Sequence, residues 1–143
     1  MNQIDTECSL PRERDWTDPI VWTHGLFVLN AALWLGVGNH TCAFFLGLST
    51  VASTAYHRSH EQDWMWAHID RFLAVLTLLI TLGMTAPHMS VGDTGTAFGL
   101  LAAALACKEC ARRDSYDSWH SAWHVLIALG QAFLSWVYWT GTA

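Results

Sequence analysis

The sequence predicts an all-α protein, an integral membrane bundle of five transmembrane helices, and three observations carry that prediction. Only 13% of the 143 residues are charged while 52% are hydrophobic, about half the charge density of an ordinary soluble domain. Five apolar runs, at about 20–38, 42–57, 69–86, 96–107 and 121–139, alternate with polar turns. With five spans, every basic residue (Arg12, Arg14, Arg58, Arg71, Lys108, Arg112 and Arg113) falls on one side of the membrane, which the positive-inside rule makes cytoplasmic. The expected topology is therefore N-in, C-out.

Residues 1–19 form a polar, acid-rich tail interrupted by Pro11. It lacks the basic start and apolar run of a cleaved signal peptide. Most of the net charge of −5 sits in this tail and in loops, where it serves solvation and implies no nucleic-acid partner. Residues 20–143 read as one helical domain.

The first run, 20–38, spans about 28 Å at a 1.5 Å rise and ends in the stop Gly36-Val-Gly-Asn39. The second, 42–57, carries Ala43, Gly47, Ala52 and Ala55, small residues that let neighbouring helices approach. A polar turn, 58–63, follows. The third run, 69–86, stops at Pro87; its Asp70, Ala74, Thr77, Thr81 and Thr85 advance by three or four residues and share the bundle-facing stripe. A Gly-containing turn leads to the short, Ala-rich fourth run, 96–107. The fifth, 121–139, closes with Trp136, Tyr138 and Trp139 at an interface. Asn39-His-Thr41 matches a glycosylation sequon. Cys8, Cys42, Cys107 and Cys110 read as free thiols, because a lone Cys107-Lys-Glu-Cys110 without a second pair is a poor zinc motif.

Polar groups converge at one end of these runs. Ser49, Ser53 and His57 recur at four-residue steps and lie on one helix face. His57 ends an outside-to-inside run; Asp70, and then His120 and His124, begin inside-to-outside runs, so all four share one depth. His120 and His124 are one helical turn apart and reach one ion together. With His57 they make three nitrogen ligands of a Zn²⁺ site whose fourth position is open, the mark of a catalytic rather than a structural zinc. Asp70 suits a general base, and Ser53 suits an oxyanion donor or water-orienting group. Ionisable groups inside spans mark function by default. Single histidines at helix ends (His24, His40, His60, His68 and His88) read as interfacial, Thr77, Thr81 and Thr85 as packing hydroxyls, and Arg71 as a topology anchor.

Ser53-x-x-Tyr56-His57, an Asp at the start of the next run, and Ser118-Trp-His-Ser-Ala-Trp-His124 resemble a superfamily of multi-pass membrane proteins. It unites alkaline ceramidases, adiponectin/progestin-type receptors, haemolysin III-like proteins, GPI-remodelling lipases and myomaker-like proteins. The resemblance covers roughly 42–86 and 118–131. It implies zinc ligation by His57, His120 and His124, with Asp70 and Ser53 as partners of the water, and hydrolysis of a lipid amide or ester bond in a ceramide-like substrate. Family members have seven spans; one span here stands where three are expected between the Asp helix and the HxxxH helix. Removing a pair keeps the last helix in the same orientation and preserves the metal site. The smaller scaffold leaves room for a homo-oligomer in which a second copy helps enclose an acyl chain. Two rivals stand beside the hydrolase: a receptor-like, haemolysin-like or fusion-related protein with a structural zinc clamp, and a b-type haem protein using histidines as axial ligands.

Overall fold

A computed structural model describes residues 13–59 and 61–143; Cys8, Arg12 and His60 lie outside the described residues. Among those described there are helices and no strands. Five long helices follow one another, the first preceded by a single turn: α1 (Pro19–Trp22), α2 (His24–Gly36), α3 (His40–Arg58), α4 (Trp64–Thr85), α5 (Val91–Ala111) and α6 (Tyr116–Thr142). The Pro87 region forms a 3₁₀ turn, Ala86–His88, between α4 and α5.

Local chemistry sets each boundary. The Asp18 carboxylate accepts from Ile20 N and caps α1 with Pro19 at its first position, where a missing N–H costs nothing. Asn39 caps α3 by accepting from Cys42 N, and Asp63 caps α4 by accepting from Met65 N and Trp66 N. The buried Asn39 side chain is thus committed to the helix start, which removes the sequon from use as a glycan acceptor. The fourth apolar run underestimates its helix: α5 reaches from Val91 to Ala111, because Ser90 and Asp93 make a reciprocal capping box that starts the helix inside the stretch read as a turn. Its 21 residues span about 31 Å.

Helix α6 is the hub. It packs against α1, α2, α4 and α5, while α3 packs between α2 and α4. Helices α4 and α5 are adjacent in sequence yet make no backbone contact. Between them and α6 lie two cavities of ≈ 260 Å³ each, whose walls share Leu78, Leu101, Ile127 and Gln131. They adjoin to form one apolar slot.

An apolar core that includes Phe27, Trp34, Leu46 and Leu134 joins α2, α3 and α6, whereas α4 puts hydroxyls inside and apolar groups outside. On α4 the buried residues are Ala67, Thr77, Thr81 and Thr85, whereas Phe72, Val75 and Leu79 are about two-thirds exposed at 66%, 59% and 62%. Hydrogen bonds tie the polar interior together. Asn30 Nδ2 donates to the Ala128 carbonyl at 3.0 Å, linking α2 to α6. Thr77 Oγ1 donates to Phe45 O at 3.2 Å, and Gln131 Nε2 to Thr81 Oγ1 at 3.3 Å. By length and composition, two helical stretches are apolar enough to cross a membrane: Pro19–Gly36, mean hydropathy 1.3, and Trp64–His88, mean hydropathy 1.7.

The segment 13–18 braces the end of the bundle where α2, α4 and α6 begin. Arg14 pairs with Asp18 at 2.9 Å and with Asp117 at 3.2 Å, and its backbone N–H donates to Arg58 O. Arg58 pairs with Glu13 and stacks 4.2 Å from the Trp16 ring centroid.

Asn30→Ala removes the α2–α6 link and leaves the Ala128 carbonyl with its intrahelical partner only. Unfolding of purified protein in detergent should show a loss of about 0.5–2 kcal/mol, larger than for Thr96→Ala, whose hydroxyl is exposed and bonds only within its own helix.

Candidate metal centre

Four buried histidines meet at the braced end: His24 at the start of α2, His57 near the end of α3, and His120 and His124 one turn apart near the start of α6. The ring centroids of His57, His120 and His124 lie 4.7, 5.1 and 4.8 Å apart pairwise. His24 joins them at 5.3 Å from His57 and 4.6 Å from His124. The three rings of the predicted triad are neighbours, but their donor atoms do not form one set: among the described residues His57 and His124 group with His24, and His57 and His120 with Glu61.

Acceptor chemistry fixes the tautomers. The Thr23 hydroxyl donates its one proton to Ile20 O at 2.8 Å, so the 3.1 Å contact with His124 requires His124 Nδ1–H to donate to Thr23 Oγ1. His24 Nδ1–H donates to the Val21 carbonyl at 3.0 Å. His57 Nδ1–H donates to the Glu61 carboxylate at 3.0 Å. In all three rings the remaining lone pair is on Nε2. Outer acceptors on Nδ1 are the usual arrangement around metal-binding imidazoles, since they orient the ring and raise its basicity.

The geometry fits a cation. His57 Nε2 and His120 Nε2 stand 3.4 Å apart; the edge of a tetrahedral zinc site with nitrogen ligands is ~3.3 Å. Two sets of donor atoms each lie within 4.8 Å of one another: His24, His57 and His124, all buried, and His57, Glu61 and His120. The sets share His57. The identity of the metal does not follow from these distances, although all-nitrogen donors with one carboxylate suit zinc and other late first-row ions.

Glu61 is held in place for its role. Its backbone sits at φ 64°, the left-handed region that costs a non-glycine residue about 1–3 kcal/mol, and its N–H donates to Tyr56 O at 3.1 Å. The carboxylate accepts from His57 Nδ1 and, at 2.5 Å, from the Tyr116 hydroxyl. Burial would raise the Glu61 carboxyl, but the hydrogen bonds from His57 and Tyr116 outweigh it and hold the group below the ordinary glutamate range.

Asp70 and Ser53 stand beside the cluster rather than within either donor set. Both line the first cavity with Ser49 and His124, and Ser53 is a side-chain hydrogen-bond partner of Asp70. The Ser53 hydroxyl also lies 2.9 Å from His24 Nε2. Arg71 and Lys108 are at the mouth of the same cavity, Lys108 over the Trp123 ring at 4.6 Å. The interfacial reading suits His40 and His68, which are exposed, and His68 bonds only to Trp64 O of its own helix. His24 departs from it. Sequence reading missed His24 and Glu61, and each left a trace: His24 lies near the start of the first run, at the same end as the other candidate residues, and Glu61 follows His57 by four residues. Cys107 and Cys110 are free, half-buried thiols on α5.

Comparison with protein-family models, with curated proteins and with solved structures finds no match for this chain.

Glu61→Gln keeps the shape and removes the carboxylate behind His57. Metal titration of the purified variant should show affinity lower by about 10–100-fold, with Tyr116→Phe weaker in effect and His57→Ala, which belongs to both donor sets, binding no ion.

Proposed function

We propose that this protein is a membrane-embedded, zinc-dependent hydrolase of a lipid amide or ester bond, with a ceramide-like lipid as first candidate substrate. One observation carries the reading: a buried cluster of inward-facing imidazole nitrogens adjoins a carboxylate and a hydroxyl at the polar end of an apolar slot. The slot continues between α4 and α5 along the length of α6. A head group at the polar end and an acyl chain in the slot match this division of chemistry. The resemblance drawn from Ser53, His57, Asp70, His120 and His124 supports the same class.

The membrane reading rests on the inverted packing. In water, Phe72, Val75 and Leu79 on the outside and Thr77, Thr81 and Thr85 inside would forfeit the hydrophobic effect; in lipid the exterior costs nothing and interior hydroxyls bond across helices. Five membrane-crossing helices with the N-terminus in the cytoplasm put all basic residues on the cytoplasmic side. The gap between α4 and α5 then faces the lipid and admits a chain sideways. Each cavity alone, at ≈ 260 Å³, is just under the ~300–1,000 Å³ of ordinary ligand sites, and the joined slot falls within that range; a second copy of the chain against the gap would complete the enclosure.

His57, His120 and His124 hold the zinc in this reading, with Glu61 and Thr23 fixing the rings of His57 and His124. Zinc bound there supplies Lewis acidity and brings the pKa of water toward neutrality. Asp70 accepts the proton of the attacking water and returns it to the leaving nitrogen or oxygen, while the water oxygen enters the new carboxylate. Ser53 orients the group beside Asp70, and the apolar walls of α4, α5 and α6 exclude bulk water.

The test is turnover and metal content measured together on detergent-purified protein, against a panel of ceramides, glycerolipids and lysolipids. Asp70→Ala should lower turnover by about 10²–10⁴-fold with zinc retained, whereas His120→Ala should lose both. Wild-type hydrolysis at full rate without stoichiometric metal would overturn the proposal. Zinc bound with no product from any lipid would favour the structural clamp.

A further inference from the structure

We propose that His24 is a fourth imidazole ligand of the metal centre, and that Ser53 competes with the metal for its lone pair. The inference rests on the reading of the cluster as a metal site. It adds a first-helix ligand to the three nitrogens supplied by α3 and α6.

Position comes first. His24 is 3% exposed, and its donor atom lies within 4.8 Å of those of His57 and His124. Two other imidazoles pack against it, His57 with ring centroids 5.3 Å away and His124 at 4.6 Å. Neighbouring chemistry adds a second argument. Thr23 and His24 are adjacent buried polar side chains where α1 passes into α2, and both face the cluster: Thr23 holds His124 Nδ1, and His24 packs against His57 and His124. Apolar residues would be buried there at lower cost.

The hydrogen-bond inventory then isolates one lone pair. His24 Nδ1–H is committed to Val21 O, so Nε2 is an acceptor, and the hydroxyl 2.9 Å away must be donating to it. Ser53 has one proton. When it turns toward Asp70, which lines the same cavity, His24 Nε2 is released toward the ion; when it donates to His24, a coordination position is open. Hydroxyl and metal thus draw on the same electron pair, and the fourth position opens and closes with the Ser53 rotamer.

Cobalt(II) loaded in place of zinc reads the ligand set directly. In His24→Cys a thiolate occupies the ligand position, so cobalt loading should produce a near-ultraviolet sulfur-to-cobalt charge-transfer band that is absent from cobalt-loaded wild type and from the exposed control His40→Cys. Cobalt bound one per chain in His24→Cys with no such band overturns the proposal. Should that variant fail to fold, X-ray absorption on zinc-loaded Ser53→Ala beside zinc-loaded Ser53→Ala/His24→Ala decides: one imidazole fewer in the double variant supports His24 as a ligand and an equal number overturns it. Metal titration adds a sign. Ser53→Ala removes the competitor and should bind zinc as tightly as wild type or more tightly, whereas His24→Ala should bind it at least about tenfold more weakly; weaker binding in Ser53→Ala, or unchanged binding in His24→Ala, overturns it. A wild-type protein that takes up no metal sinks the metal centre itself, while metal held by as many imidazoles without His24 as with it sinks only the role of His24.

Discussion

The structure depends on one constraint: four imidazoles share a buried space, and every ring nitrogen turned into it needs a partner there. Val21 O, Thr23 and Glu61 each take an Nδ1 proton, which leaves the lone pairs of His24, His57 and His124 on Nε2. His24 Nε2 faces the Ser53 hydroxyl, and His57 Nε2 faces His120 Nε2 at 3.4 Å, a spacing that suits a hydrogen bond from a His120 Nε2–H or two ligands of one cation. The surroundings hold these rings in place. Glu61 is kept in an uncommon backbone region, and the segment from Glu13 to Asp18 is pinned to the starts and ends of three helices by Arg14 and Arg58.

Much of this was legible in the sequence because helical periodicity and depth are both one-dimensional signals. A four-residue step places His120 above His124, and alternation of direction brings His57, Asp70 and His120 to one end. These inferences need no side-chain detail. The stripe of Thr77, Thr81 and Thr85 on α4 was equally readable, and the structure buries it. The start of α5, from Val91 to Gly95, was not readable from hydropathy, because Gly92, Asp93 and Gly95 resemble a turn; the Ser90–Asp93 capping box is a local hydrogen-bonding signal that outweighs poor helix propensity.

Ligand identity was harder to read than ligand neighbourhood. His24 sits among Trp22, Phe27 and other apolar residues, where a snorkelling ring is the ordinary occupant. Its partners, His57 and His124, come from other helices, and no local pattern reports them. Glu61 lies four residues after His57 but past the end of α3, where a helical face is no longer defined; its left-handed backbone and the bond from Tyr116 place it. Both cases share a cause. Contacts between elements set the partners, and local regularity is what sequence patterns report.

The absence of backbone contact between α4 and α5 has a mechanical consequence. Among the long helices α5 is held by α6 alone, so the two form a hairpin seated on the row of α2, α3 and α4. A parting of the bundle along that seam would carry α5 and α6 away together and separate His120 and His124 from His24 and His57 in one movement.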